Sequence, residues 1–339
     1  MTAASTGRAA VTSVGAAVTS VGAAVTSDGA AVTSGESTGR AAAGSGAGAG
    51  LRFGYGTNGF ANHRLDDALG VLADLGYRGV ALTLDHDRLD PFGPGLAGRV
   101  ATLGTRLAEL DLGLVIETGA RYLLDPWRKH APTFLHDDPR ARIDFLRRAV
   151  AIGADLGAEA VSCWSGVRPP EVAEETAWDR LLAGCAELVD VADAAGMPIG
   201  FEPEPGMLVA DIAGWRRLRA ALGGPAVFGI TLDIGHCRCL EPVAVPQCVT
   251  DVAPHLVNVQ IDDMRRGVHE HLEFGTGEID FPPVLRALRD AGYRGLVAVE
   301  LPRHSHDAPA VAARSIDFLR AAEGADGRRL ASQSTAGED

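Results

Sequence analysis

Eight short apolar runs, each followed by a segment of helical period, set the tightest constraint on what this chain can fold into. The runs are Leu51–Thr57, Gly79–Asp85, Gly113–Gly119, Ala160–Gly166, Pro198–Pro205, Val227–His236, Leu256–Asp263 and Gly295–Pro302. Helical patterns fall near Leu65–Leu75, Leu96–Leu110, Ala141–Leu156, Ala177–Ala195, Ile212–Leu222, Val243–Val252, Pro283–Ala291 and Ala310–Leu319. Strands kept apart by helices pair in parallel, and eight such units over about 270 residues predict an α/β fold, the (β/α)8 TIM barrel. Leu75-Gly-Tyr-Arg-Gly79 and Asp290-Ala-Gly-Tyr-Arg-Gly295 read as helix stops, where Gly ends one helix ahead of the next strand.

The barrel is expected over residues 51–322. Before it, a heptapeptide recurs from Ala9, Ala16, Ala23 and Ala30 and runs into a glycine-rich stretch. Its sevenfold Val spacing carries Gly and Thr inside every copy, which suits a disordered arm over residues 1–50 better than a coiled coil. The small, polar residues 323–339 read as a disordered tail.

Composition removes several function classes. A formal net charge of −13 disfavours a nucleic-acid partner. No run approaches a membrane span, so no membrane partner and a cytoplasmic location are expected. Five cysteines without framework spacing read as reduced thiols. Lys129 is the one lysine among 31 basic residues, and no Schiff-base or P-loop motif surrounds it. Gly54-Tyr-Gly56-Thr-Asn-Gly59 matches the dinucleotide fingerprint G-x-G-x-x-G, but too little strand precedes it and Asn62-His-Arg64 delay the helix, so a first βα loop is the better reading.

In a barrel of this kind the chemistry sits at the C-terminal ends of the strands. The fifth run ends at Glu202, the sixth at Asp233-Ile-Gly-His236, the seventh carries Gln260 and the eighth Glu300. Carboxylates converging on one mouth would repel, and a divalent cation holds them ionised; oxygen-rich donors favour Mn2+, Mg2+ or Co2+, while nearby histidines admit Zn2+. Asp263, and with it Asp262, reads instead as a cap or as the partner of Arg265 and Arg266.

These strand ends, with His271-Leu-Glu-Phe-Gly275-Thr-Gly277-Glu-Ile-Asp280-Phe281, resemble the xylose isomerase-like TIM barrels, a superfamily that includes sugar and sugar-phosphate isomerases and epimerases and the type IV AP endonucleases. The resemblance covers Leu51 to Leu319. It implies one metal held by Glu202, Asp233, Gln260 and Glu300, with Glu202 and Glu300 also exchanging protons with the substrate. Gln260 is a departure, because the family has histidine there and an amide oxygen is the weaker donor. The implied reaction is proton abstraction beside a carbonyl, through a metal-stabilised enediolate, on a small polyhydroxy carbonyl compound: a sugar, a sugar phosphate or a relative.

His236 is placed for a substrate hydroxyl or for a rim contact. The endonuclease branch makes a metal-dependent phosphoesterase the alternative reading, with His236, His269 and His271 mirroring its third zinc site; Trp164, standing for that branch's strand-four histidine, argues against it. In the isomerase reading His269 and His271 are substrate contacts. Cys237 and Cys239 read as buried packing. Arg121 to His130 gathers basic side chains after the third run, and Arg128 with Lys129 is a seat for a substrate anion or a solvated loop. His86, ending the second run, could join the pocket. The Glu202-Pro-Glu-Pro-Gly206 and Arg128-Lys-His130 segments also resemble Ebo-type metabolite-traffic proteins, so a non-catalytic binding barrel is a further alternative. A homo-oligomer stays open.

Overall fold

The computed structural model describes residues 50–335. The repeat arm expected to be disordered therefore lies outside the described residues, except for Gly50. Among them, strands β1 (Arg52–Gly56), β2 (Gly79–Thr83), β3 (Gly113–Glu117), β4 (Val161–Cys163), β5 (Ile199–Phe201), β6 (Phe228–Asp233) and β7 (Leu256–Ile261) follow one another in sequence. A short antiparallel hairpin, β8 (Asp263–Arg265) and β9 (Val268–Leu272), comes before the last barrel strand, β10 (Leu296–Val299). The eight longer-range strands pair in parallel and close in the circular order β1-β10-β7-β6-β5-β4-β3-β2. Each of the eight apolar runs contains one barrel strand, with the last residues of the run spilling into the loop beyond.

The helices are α1 (Leu65–Asp74), α2 (Leu96–Glu109), α3 (Arg140–Leu156), α4 (Glu174–Ala195), α5 (Ile212–Ala221), α6 (Ile234–Leu240), α7 (Val245–Val252), α8 (Phe281–Asp290) and α9 (Ala308–Thr335). Gly76 and Gly292 follow α1 and α8 at φ of 84° and 69°, the left-handed turn that glycine adopts without a Cβ clash. Two expectations need correcting. The sixth run was read as strand as far as His236, yet the chain turns helical at Ile234 because the Asp233 carboxylate caps α6 by accepting the His236 N–H at 2.8 Å. The tail expected to be disordered from residue 323 is instead helical through Thr335. Glu323 accepts the Leu51 N–H at 2.8 Å, tying that helix to the start of the barrel.

Strand period explains the interior. Outward residues such as Phe53, Leu82, Ile116, Phe201 and Phe228 pack under the helices, and burying each large side chain stabilises the fold by about 1.5–3 kcal/mol. Inward residues change character along the strands. Val115, Ala160 and Leu296 form an apolar plug. Two residues further along the same faces come Glu117, Ser162 and Ala298, and the polar members join a buried network: Thr231 Oγ1 donates to Ser162 Oγ at 3.1 Å and Asn258 Nδ2 to Glu117 Oε1 at 3.3 Å. The next inward positions are Glu202, Asp233, Gln260 and Glu300. Among the described residues no helix is long and apolar enough to cross a membrane.

Candidate active site

A cavity of about 590 Å³ opens at the C-terminal ends of the barrel strands. Glu202, Gln260, Glu300, His236, His269 and His271 line it, together with Lys129. Asp233 lies beside them: one ligand atom each from Glu202, Asp233 and His236 falls within a 4.8 Å group, and so does one each from Asp233, His271 and Glu300. The sequence thus brings its acidic strand ends to one place.

Local contacts orient each group. Asp233 spends Oδ1 on the α6 cap, while its Oδ2, although buried, has no hydrogen-bond partner among the described residues. Gln260 Oε1 is likewise buried without a partner. Glu300 Oε1 accepts from Asn58 Nδ2 at 2.9 Å. His236 Nδ1 donates to the Pro203 carbonyl at 3.1 Å, so its Nε2 accepts from His269 Nε2 at 3.0 Å. His271 Nδ1 is bonded to the Asp262 carboxylate.

Electrostatics follow from this crowding. Burial, then Glu300, holds the Glu202 carboxyl well above the usual carboxylate range. Loss of bulk water, with Asp233 next among the groups that raise it, lifts Glu300 as well. Glu204 is pushed up to about 7 by partial burial and Glu300, and Glu117 to about 8 by burial and Glu300. Burial pulls His236 down to about 4, so it is a neutral imidazole at physiological pH. Burial also opposes charge on His271, but Asp262 outweighs it and the imidazole rises to about 10.

A divalent cation fits this donor set. Two orphaned buried oxygens, Asp233 Oδ2 and Gln260 Oε1, gain a partner from it, and the repelling carboxylates gain a counter-charge. Carboxylate, amide and imidazole donors together match Mn2+, Mg2+ or Co2+ and tolerate Zn2+.

Other expected residues lie elsewhere. Arg128 is turned away from the cavity: its side chain is 66% exposed and pairs with Asp125 at 2.7 Å, because neighbours in a loop need not point the same way. Lys129, the next residue, lines the cavity, as do Arg121 and Arg303. His86 is also outside, more than half exposed and paired with Asp85 at 2.6 Å. Neither Asp262 nor Asp263 pairs with Arg265 or Arg266. Asp262 is fully buried on His271, and Asp263 accepts backbone N–H groups from Met264, Gly275, Gly277 and Ile279 at 2.8–3.1 Å, which pins the hairpin and the glycine-rich loop after it. In the fingerprint-like segment, a Cβ at Gly59 would meet the Tyr55 ring at 2.8 Å, so that glycine serves packing in a tight first loop. Cys237 and Cys239 are buried and free.

The sequence reading missed Glu117, Glu204 and Asn58. A carboxylate closing the apolar Gly113–Glu117 strand was the available signal for the first, since an unpaired acid on an inward face is costly without a purpose. Trp164 forms part of the wall, with the buried Arg142 guanidinium 4.8 Å from its ring centroid. Arg142 donates to the carbonyls of Pro132, Thr118 and His130 at 2.8–2.9 Å, fixing the loop that carries Arg121 and Lys129.

Comparison with known proteins gives the geometry a context. L-ribulose-5-phosphate 3-epimerase from Salmonella typhi is 25% identical over 64% of this chain and 80% of its own length. The solved structure of L-ribulose 3-epimerase superposes with a TM-score of 0.66 over 85% of this chain and 99% of that one, at 20% identity. D-allulose 3-epimerase from Methylomonas sp., solved with D-allulose, gives a TM-score of 0.63 over 80% and 96% at 20% identity. The sequence pattern of the xylose isomerase-like TIM barrels matches residues 69–322, most of the described fold, and the chain belongs to that family.

Proposed function

We propose that this chain is a cytoplasmic, metal-dependent epimerase or isomerase of a sugar, sugar phosphate or related polyhydroxy carbonyl compound. The observation that carries the reading is the pair Glu202 and Glu300, two strand-end carboxylates flanking β6 and β7 over one cavity with orphaned oxygen donors between them. The three relatives named above, which act as epimerases of ketoses or a ketose phosphate, point the same way. Five buried free thiols suit a reducing compartment.

Glu202, Asp233, Gln260 and Glu300 would hold the cation. When bound, it supplies Lewis-acid polarisation of the substrate carbonyl, which acidifies the neighbouring C–H. One glutamate then removes that proton and the other holds a proton for return on the opposite face, which inverts the carbon; return to the adjacent carbon gives aldose–ketose isomerisation. Asn58 keeps the Glu300 carboxylate oriented through the 2.9 Å bond. Neutral His236 faces the same space with both ring nitrogens engaged, by the Pro203 carbonyl and by His269, and forms part of the cavity wall. Trp164 and His130, in edge contact at 5.4 Å, shield one side of the cavity from water. Arg121, Lys129 and Arg303 supply positive charge for a substrate that carries phosphate or carboxylate.

The test is a panel of ketoses and ketose phosphates offered to metal-loaded protein, with epimer formation followed by NMR and bound metal counted in parallel. Turnover of at least one member with about one metal per chain is expected. Near three zinc ions per chain with phosphodiester cleavage would replace the reading with a phosphoesterase. Tight binding of a panel member without conversion would replace it with a carrier.

A further inference from the structure

The seventh barrel strand presents Gln260, an oxygen donor, to the cavity, so a cation at this site would take no nitrogen from that strand. Two imidazoles stand close enough to supply one, and their hydrogen bonds separate them. His236 uses both ring nitrogens, Nδ1 on the Pro203 carbonyl at 3.1 Å and Nε2 on His269 at 3.0 Å. Among the described residues His271 uses only Nδ1, on Asp262; its Nε2 faces no protein partner, and a cation binding there would displace the Nε2 proton to solvent and take the freed lone pair. His271, Asp233 and Glu300 each offer a ligand atom within one 4.8 Å group.

We propose that His271 of the β8–β9 hairpin is a ligand of the divalent cation, replacing the nitrogen donor absent from β7, and that Asp262 is the residue that positions it. The inference rests on the metal-dependent reading above. Asp262 is fully buried, its Oδ1 has no hydrogen-bond partner among the described residues, and its Oδ2 meets His271. Burying a carboxylate costs several kcal/mol unless its partner repays it, and a carboxylate on the far nitrogen of an imidazole is the usual device for fixing the tautomer and aim of a metal-bound histidine. The fold also clears room for it: a Cβ at Gly235 would overlap the Asp262 carboxylate, so the glycine of Asp233-Ile-Gly-His236 is needed where it stands. The hairpin is no loose strand, because Asp263 anchors it through four backbone N–H groups. Asp233 and Glu300 come from barrel strands, so the hairpin completes the ligand set from outside the barrel.

The experiment uses the full-length protein loaded with Co2+, read by competition titration and by X-ray absorption at the cobalt edge. Wild type is expected to show at least one imidazole in the cobalt shell. His271→Ala should lose that imidazole and weaken Co2+ binding by about 100-fold or more, while Asp262→Asn should weaken it about 10- to 100-fold. His86→Ala, which removes an exposed imidazole outside the cavity, should retain wild-type affinity. Unchanged affinity in His271→Ala, or a wild-type cobalt shell without imidazole, overturns the inference and leaves the metal-dependent reading intact. The second readout needs no variant, so a misfolded substitution does not shelter the idea. Failure of wild type to bind Co2+ would overturn both.

Discussion

Replacing Glu117 with glutamine should stabilise the metal-free protein at pH 8 and leave it nearly unchanged at pH 4.5. Glu117 ends β3 with 9% of its surface exposed, and burial followed by Glu300 pushes its carboxyl from an ordinary 4.5 to about 8. The unfolded chain therefore ionises this group first. Between pH 4.5 and 8 the folded state binds more protons than the unfolded state, so the stability that protonated Glu117 contributes is complete below 4.5 and falls as pH rises towards 8. A displacement of this size is worth about 5 kcal/mol across the window. Glutamine keeps the shape and an oxygen that can accept from Asn258, now 3.3 Å from Glu117 Oε1, but it has no proton to lose. Urea unfolding in EDTA at pH 5, 6, 7 and 8 isolates the effect, because every other titrating group is common to both proteins. The variant should gain about 3–5 kcal/mol on wild type between pH 5 and 8. Parallel pH profiles would refute the view that Glu117 is held protonated by its buried, acidic surroundings.

Glu300→Gln should lower kcat by about 10²–10⁴-fold with the far-UV circular dichroism unchanged, and wild-type turnover would remove Glu300 from the proton-transfer pair. Gln260→His should tighten metal binding, as a competition titration would show; weaker binding would mean that Gln260 does not face the cation. Arg142→Met strips charge-assisted bonds from three carbonyls at 2.8–2.9 Å and should cost about 3–5 kcal/mol in urea unfolding. A loss below about 1 kcal/mol would show that the loop before α3 holds itself.

The barrel was legible because its signal is repetitive: a short apolar run followed by a helical segment recurs eight times, and each recurrence supports the others. The strand ends share that clarity, so the pattern alone aligns Glu202, Asp233, Gln260 and Glu300 at one end of the barrel. The β8–β9 hairpin escaped because Val268-His-Glu-His-Leu272 has no alternation of apolar and polar residues; it is held by Asp263 and its backbone donors, a contact spread over 16 residues of sequence. Helix α6 escaped because apolar Ile234 follows β6 without a break, and only the Asp233 cap marks the change. Arg128 and Lys129 show a different limit. Charge clustering in sequence says nothing about side-chain direction in an irregular loop, and the structure turns one towards Asp125 and the other into the cavity. Asp262 is the clearest case of a residue whose partner lies out of reach of local reading, since His271 sits nine positions on, across the hairpin.

Solvent-proton exchange tests the central claim most directly. Metal-loaded protein is incubated in D2O with each ketose and ketose phosphate of the panel, and deuterium at the carbon beside the carbonyl is read by NMR. The account predicts incorporation at that carbon with at least one compound, lost in Glu202→Gln and Glu300→Gln. Metal-loaded, folded protein that binds a panel member yet leaves every such carbon unlabelled would contradict it.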